Sequence, residues 1–152
     1  MCAIFQNESR FLKEWIEYHQ RVGVEHFWLY NNNSTDNYKE ILQPYIQEGV
    51  VELIEWPSEK YKDDWFHYSF QIQIGAYNDA LARARGVSKW LALIDLDEFI
   101  VPISNDKIQD VLENHFPHVS GLCVNWQCFG TSNVKEILPH ESLLKKLTWK
   151  MY

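Results

Sequence analysis

The chain has 152 residues, 46% hydrophobic and 15% aromatic, which suits one globular domain (residues 1–152) and excludes a disordered chain. Its formal charge is −7 with no cluster of Lys and Arg, which argues against nucleic acid as the main partner, because a phosphate backbone demands a basic patch. No apolar run approaches membrane-spanning length and no basic-then-apolar leader is present, so no transmembrane segment is expected and the location reads as cytoplasmic or peripheral to a membrane.

Cys2–Phe5 reads as a first strand, and Asn7, Glu8 and Ser9 as a polar turn. A helix follows over about residues 10–22, with Phe11, Leu12, Trp15, Ile16, His19 and Val22 at helical spacing, Ser9 as N-cap and Gly23 as terminator. His19 lies on that stripe and reads as a packing histidine rather than a ligand. Residues 26–30 form an aromatic second strand, followed by the polar loop 31–36. Residues 37–47 read as a helix, with Asn37 and Glu40 at capping-box spacing and Pro44 expected to kink or split it. Residues 50–55 are a third strand.

Residues 57–67 are charged and aromatic, a lid or a plain surface loop. A helix is expected over about 70–85, with Ile74, Tyr77, Ala80, Leu81 and Ala84 inward and Gly86 as stop. A short helix over about 106–114, a strand over 121–127 and a polar turn over 128–133 complete the reading. Cys2, Cys123 and Cys128 are odd in number and lack zinc-site spacing, so they read as reduced, buried thiols.

The most informative stretch is 90–102, an apolar run that drives into Asp95, Asp97 and Glu98. A run this short and apolar reads as a strand buried on both faces. Residues two apart on an extended chain point the same way, so Asp95 and Asp97 converge, and two close carboxylates repel unless a cation sits between them. Oxygen donors of this kind suit Mg²⁺ or Mn²⁺, which keep water and substrate phosphate as further ligands. The plainer alternative is a solvated turn or a helix cap.

Alternating strands and helices point to an α/β fold with a mostly parallel sheet, and in such sheets ligands bind beyond the carboxyl ends of the strands. Asn7 and Glu8 leave the first strand, the loop ending at Asp36 leaves the second, and Asp95 and Asp97 leave the fourth. There is no Gly-rich phosphate loop, so a metal would have to neutralise a diphosphate. Asp36 is placed to accept hydrogen bonds from a base or ribose.

Several segments together resemble glycosyltransferase family 92 and its family-2-like relatives. They are Asn7-Glu8; Phe11-Leu12-Lys13-Glu14-Trp15-Ile16-Glu17-Tyr18-His19; Gly23-Val24-Glu25-His26-Phe27; Asn33-Ser34-Thr35-Asp36-Asn37; Gln73-x-x-Ala76-Tyr77-Asn78; residues 90–102; and Phe129-Gly130-Thr131-Ser132. The resemblance implies a Rossmann-like GT-A fold, a nucleotide-sugar donor (UDP-galactose in the best-known members), a glycan acceptor, a Mn²⁺-type cofactor and inversion at the sugar carbon. Carried over by position, Asp95 and Asp97 are the DxD pair that meets metal and diphosphate. Asn7, Glu8, Asp36 and Gln73 line the nucleotide-sugar pocket, and Trp126, Phe129 and Gly130 lie on the acceptor side.

Family members run well past the point where this sequence stops, and that later part commonly supplies the general base. A short or missing acceptor portion is therefore expected. No base is assigned; Glu136, His140 and Glu141 read as surface residues. The competing reading is a nucleotide-sugar-binding module without turnover. A phosphohydrolase with an Asp-x-Asp nucleophile ranks below both, because its pair belongs on a first strand.

Overall fold

The computed structural model describes residues 1–57, 68–103, 107–138 and 141–151. The chain divides into two compact units, Met1–Val101 and Pro102–Tyr152.

The first unit is built on a parallel sheet. Strand β1 (Cys2–Phe5) pairs with β2 (Phe27–Asn31), which pairs with β3 (Val51–Glu55). Helix α1 (Ser9–Arg21) joins the first two strands and α2 (Tyr38–Gln47) the second and third. After β3 the described chain resumes with a π-helical turn, Tyr68–Gln73, which runs into α3 (Ile74–Ala84). The 57–67 segment lies, apart from Pro57, outside the described residues.

Alternation along the strands splits the core in two. Ala3, Phe5, Phe27 and Leu29 pack with Leu12, Trp15 and Ile16 of α1 and Tyr38 and Leu42 of α2. Cys2, Trp28 and Tyr30 face the other way, onto Ala76, Ala80 and Ala84 of α3. Only small side chains let a helix settle close over rings as large as Trp28 and Tyr30. That corrects the expected stripe on α3: Ile74 and Leu81 are exposed, and the alanines at i, i+4 and i+8 form the buried line.

Two cap expectations also change. Ser9, expected as N-cap, is the first residue of α1, and Glu8 before it makes no side-chain capping bond; Asn37 makes none on α2. Helix α2 runs through Pro44 unsplit to Gln47, and Gly49, just past its C-cap, turns the chain at a φ of +72° that is open to glycine at no cost.

The largest correction concerns residues 90–102. The strand buried on both faces is β2, all five of whose residues are buried, because it lies between two partners and two helical layers. The chain at Leu93 reaches only the free edge of β1, through one parallel bridge to Cys2. There the Cys2 N–H donates to the Ala92 carbonyl at 2.8 Å and the Ile94 N–H to the Cys2 carbonyl at 3.2 Å. Leu93 is 44% exposed. The chain then turns at 95–98. The resulting lateral order is β3, β2, β1, Leu93 segment. Connections leave β1 in one direction and return on its other side, so the strand order reverses between β1 and the Leu93 segment, and in parallel sheets ligands bind at the carboxyl ends beside such a reversal.

In the second unit, α4 (Ile108–His115) and the single turn α5 (Leu143–Lys146) are the helices among the described residues. The strand expected over 121–127 does not form, since no neighbour offers it a ladder. One antiparallel bridge, Phe129 to Lys150, closes this part of the chain. Cys123 and Cys128 are exposed rather than buried, while Cys2 is buried.

Candidate functional site

The β1–α1 turn and the β2–α2 loop are tied to each other at the carboxyl ends of their strands. Asn7 sits at φ +57°, a left-handed conformation that Asn tolerates. Its N–H donates to Ser34 Oγ at 2.9 Å, and its Oδ1 accepts from the Thr35 N–H at 2.8 Å. Asp36 Oδ2 accepts from the Ser9 N–H at 2.8 Å, so the first turn of α1 is capped by a residue from the neighbouring loop. Asn31 anchors the loop from beneath. It donates to Tyr38 Oη and Glu55 Oε2 and accepts from the Ser34 N–H. Asp36 Oδ1 and Asn33 Nδ2 are buried here without a hydrogen-bond partner among the described residues.

Asp95 and Asp97 do not converge as alternate residues of an extended strand, as the spacing suggested. They share a tight turn. The Glu98 N–H donates to the Asp95 carbonyl at 3.1 Å, and the Glu98 carboxylate folds back to accept from the Asp95 N–H at 3.0 Å. Leu96, between the aspartates, is 1% exposed and plugs the turn into the core. Gln73 Nε2 lies 3.3 Å from Asp95 Oδ1 and 2.9 Å from Tyr77 Oη, and Tyr77 Oη lies 3.4 Å from the same carboxylate oxygen.

Electrostatics links these parts. Burial pushes the Glu8 carboxyl up to about 7, helped by the negative charges of Asp97, Asp95 and Asp36. Burial also raises Asp95, with the charge of Asp97 adding to it, while hydrogen bonds from Tyr77 and Gln73 work the other way. Tyr77 is pushed up to about 12, first by burial and then by Asp95. Four carboxylates thus share a field that none neutralises for another.

Among the described residues, no group of three or more His, Cys, Asp or Glu side chains is gathered closely enough to hold a metal ion. Asp95 and Asp97 nevertheless fit Mg²⁺ or Mn²⁺ in donor chemistry. They are hard oxygen donors with mutual repulsion for a cation to relieve, and one or two carboxylates are what such an ion takes when phosphates and waters complete its shell.

Of the residues singled out from the sequence, Asn7, Glu8, Asp36, Gln73, Asp95 and Asp97 come together here. Trp126, Phe129 and Gly130 belong to the second unit. Trp126 is 82% exposed, and Phe129 and Gly130 line an open hollow of about 300 Å³ with Thr131, Val134 and Leu147. His140 lies outside the described residues. Two residues of the site, Glu98 and Tyr77, are not assigned to it by the sequence alone. Tyr77 carries an apolar body with a polar tip, and a polar tip on an apolar stripe demands a partner, which is the available signal.

No helix among the described residues is long and apolar enough to cross a membrane. No solved structure matches the chain. Relatives do. A glycosyltransferase family 92 protein of Oryza sativa subsp. japonica is 32% identical over 139 residues, covering 90% of this chain and 22% of its own length. A galactan beta-1,4-galactosyltransferase of Arabidopsis thaliana is 35% identical over 107 residues, 68% of this chain and 20% of its own length. A beta-1,4-galactosyltransferase of Caenorhabditis elegans is 28% identical over 106 residues, 66% of this chain and 24% of its own length. The chain therefore spans less than a quarter of the length of these relatives. The family profile of glycosyltransferase family 92 covers residues 1–151, and the chain belongs to that family.

Proposed function

We propose that this chain forms the nucleotide-sugar-binding part of a metal-dependent, inverting glycosyltransferase with a GT-A fold. It would move a hexose, with galactose the first candidate, from a UDP donor to a glycan acceptor. The observation that carries this reading is the gathering of carboxylates at the sheet edge where the strand order reverses. The turn bearing Asp95 and Asp97 faces the ends of the two loops bearing Asn7, Glu8 and Asp36 there. The names of the Arabidopsis thaliana and Caenorhabditis elegans relatives favour galactose and a β-linked product.

Asp95 and Asp97 would hold Mn²⁺ or Mg²⁺, which neutralises charge on a diphosphate leaving group when bound. The chain's own residues supply the rest. Gln73 and Tyr77 aim the Asp95 carboxylate by hydrogen bonds. Asp36 has one oxygen fixed on the Ser9 N–H and one without a partner, and Asn33 offers an unpartnered amide; both suit the polar edges of a base or ribose. No residue is assigned as the base that activates the acceptor.

Calorimetric titration with UDP in the presence of Mn²⁺ tests the reading. Binding that disappears in Asp95→Ala and Asp97→Ala is expected, and full-strength binding without any divalent ion overturns it. One observation favours a second reading, a donor-binding part whose turnover needs more chain: the limited share of the relatives that this sequence covers. Slow hydrolysis of UDP-galactose without transfer to any glycan supports that version, and robust transfer eliminates it.

A further inference from the structure

One face of α1 grips the main chain of the acidic turn. The Trp15 indole N–H donates to the carbonyls of both Asp95 (3.1 Å) and Glu98 (2.9 Å), the two ends of the turn. One helical turn further, Tyr18 Oη donates to the Ile100 carbonyl at 3.1 Å, and the Ile100 N–H donates to His19 Nε2 at 3.3 Å. His19 is fully buried, with its Nδ1 2.8 Å from the Trp15 carbonyl and its ring stacked on Phe99 at 5.7 Å between centroids. A main-chain N–H can only donate, so Nε2 accepts and Nδ1 carries the hydrogen, which it gives to the Trp15 carbonyl. All the hydrogen-bonding capacity of both rings is thereby used, and most of it falls on main chain some 80 residues away.

We infer that Trp15 and His19 are positioning residues for the Asp95–Asp97 pair, holding the main chain at both ends of the acidic turn so that the carboxylates are presented together before a cation or diphosphate arrives. The cation half rests on the function proposed above. The physical need is plain. Two neighbouring carboxylates in a free turn would separate to relieve their repulsion, and each ion bound would then have to bring them back. A donor shared between the carbonyls at positions i and i+3, backed by a fixed strap at Ile100 and the buried Leu96, removes that freedom in advance. Groups that orient ligands in this way typically govern metal affinity strongly without touching the metal.

Three variants of the chain test it: Trp15→Phe, His19→Asn and His19→Gln. Asn mimics Nδ1 and loses the acceptor for Ile100; Gln reaches the place of Nε2 and keeps it. Two readouts are needed, Mn²⁺ affinity with UDP present and amide hydrogen exchange at Glu98 and Ile100 without metal. Trp15→Phe and His19→Asn are expected to weaken Mn²⁺ about 10-fold or more and to speed exchange at those amides, while His19→Gln restores both. Unchanged affinity in folded Trp15→Phe and His19→Asn overturns the inference, as does a His19→Gln as weak as His19→Asn. Should the variants not fold, the wild-type chain decides: Glu98 and Ile100 amides that exchange as freely as an exposed loop overturn it, and protection like that of β2 supports it. A wild-type chain that binds neither Mn²⁺ nor UDP sinks the proposed function and the cation half together, and the exchange data then judge the anchoring alone.

Discussion

The two compact units differ in what they bury. Met1–Val101 contains every buried residue of the described chain, and Pro102–Tyr152 contains none, although it carries Val124, Trp126, Phe129, Trp149 and Met151 at its surface. Apolar content is thus no guide to a core by itself. In the first unit each strand has a neighbour, so alternate side chains become two faces and helices cover both. In the second, the expected strand at 121–127 has no ladder, and its alternation has nothing to point into.

The contrast is broken most severely by removing volume from the first unit. Leu42 is fully buried between α2 and the sheet. Leu42→Ala is expected to destabilise the chain by about 2–5 kcal/mol, measured by urea denaturation. That is a large share of the 5–15 kcal/mol that domains typically have. A loss under about 1 kcal/mol would mean that the sheet and helices of this unit are not close-packed.

Acid attacks the same unit through His19. Burial holds its imidazole down at about 4, against an ordinary value of 6.5. A lowered folded value favours the neutral ring in the fold. The contribution is therefore complete above pH 6.5 and is lost as the pH falls from there toward 4. Integrated over that window it amounts to about 3 kcal/mol. Protonation would put a hydrogen on Nε2 opposite the Ile100 N–H, so the strap and the stability should fail together. Denaturation midpoints across this window should fall more steeply for the wild type than for His19→Gln, and parallel curves would refute the assignment.

A smaller effect sharpens the picture of the site. Asp36→Ala removes the acceptor for the Ser9 N–H and should cost about 1 kcal/mol, as loss of a helix cap does. Asp36→Asn keeps an acceptor and should cost less. Both remove one of the charges that raise Glu8, so the Glu8 carboxyl should titrate below about 7 in both variants by carbon-detected NMR. An unmoved Glu8 would mean that the loops are not joined as described.

These particulars show what a sequence encodes locally. Strand β1, helix α1 and strand β2 were legible to within a residue or so because each buries one regular face and ends at a polar turn or a glycine. The gathering of Asn7, Glu8, Asp36, Asp95 and Asp97, though not their role, is legible because residues that follow parallel strands meet at one edge. Hydropathy overstates the burial of the Leu93 segment, because burial depends on which neighbours a strand finds. It misplaces the stripe of α3, because alanine gains its place there from close approach rather than from hydrophobicity. The hold of Trp15, Tyr18 and His19 on the acidic turn could not be read at all. Its acceptors and donor are main-chain groups some 80 residues distant, and main chain leaves no mark in a sequence pattern.

The smallest expected effect bears most directly on the second unit. Trp126 has nearly its whole surface in water, so Trp126→Ala removes few contacts and should change stability by less than about 0.5 kcal/mol. If the same ring meets a sugar acceptor, as its place in the family pattern implies, the substitution should raise the KM for acceptor while leaving UDP affinity at the Asp95–Asp97 pair intact. Stability and function would then separate at one residue, the reverse of Leu42, where both are lost together. A stability loss above about 1 kcal/mol would show that the second unit has a packed interior around this ring, and the contrast between the units would collapse.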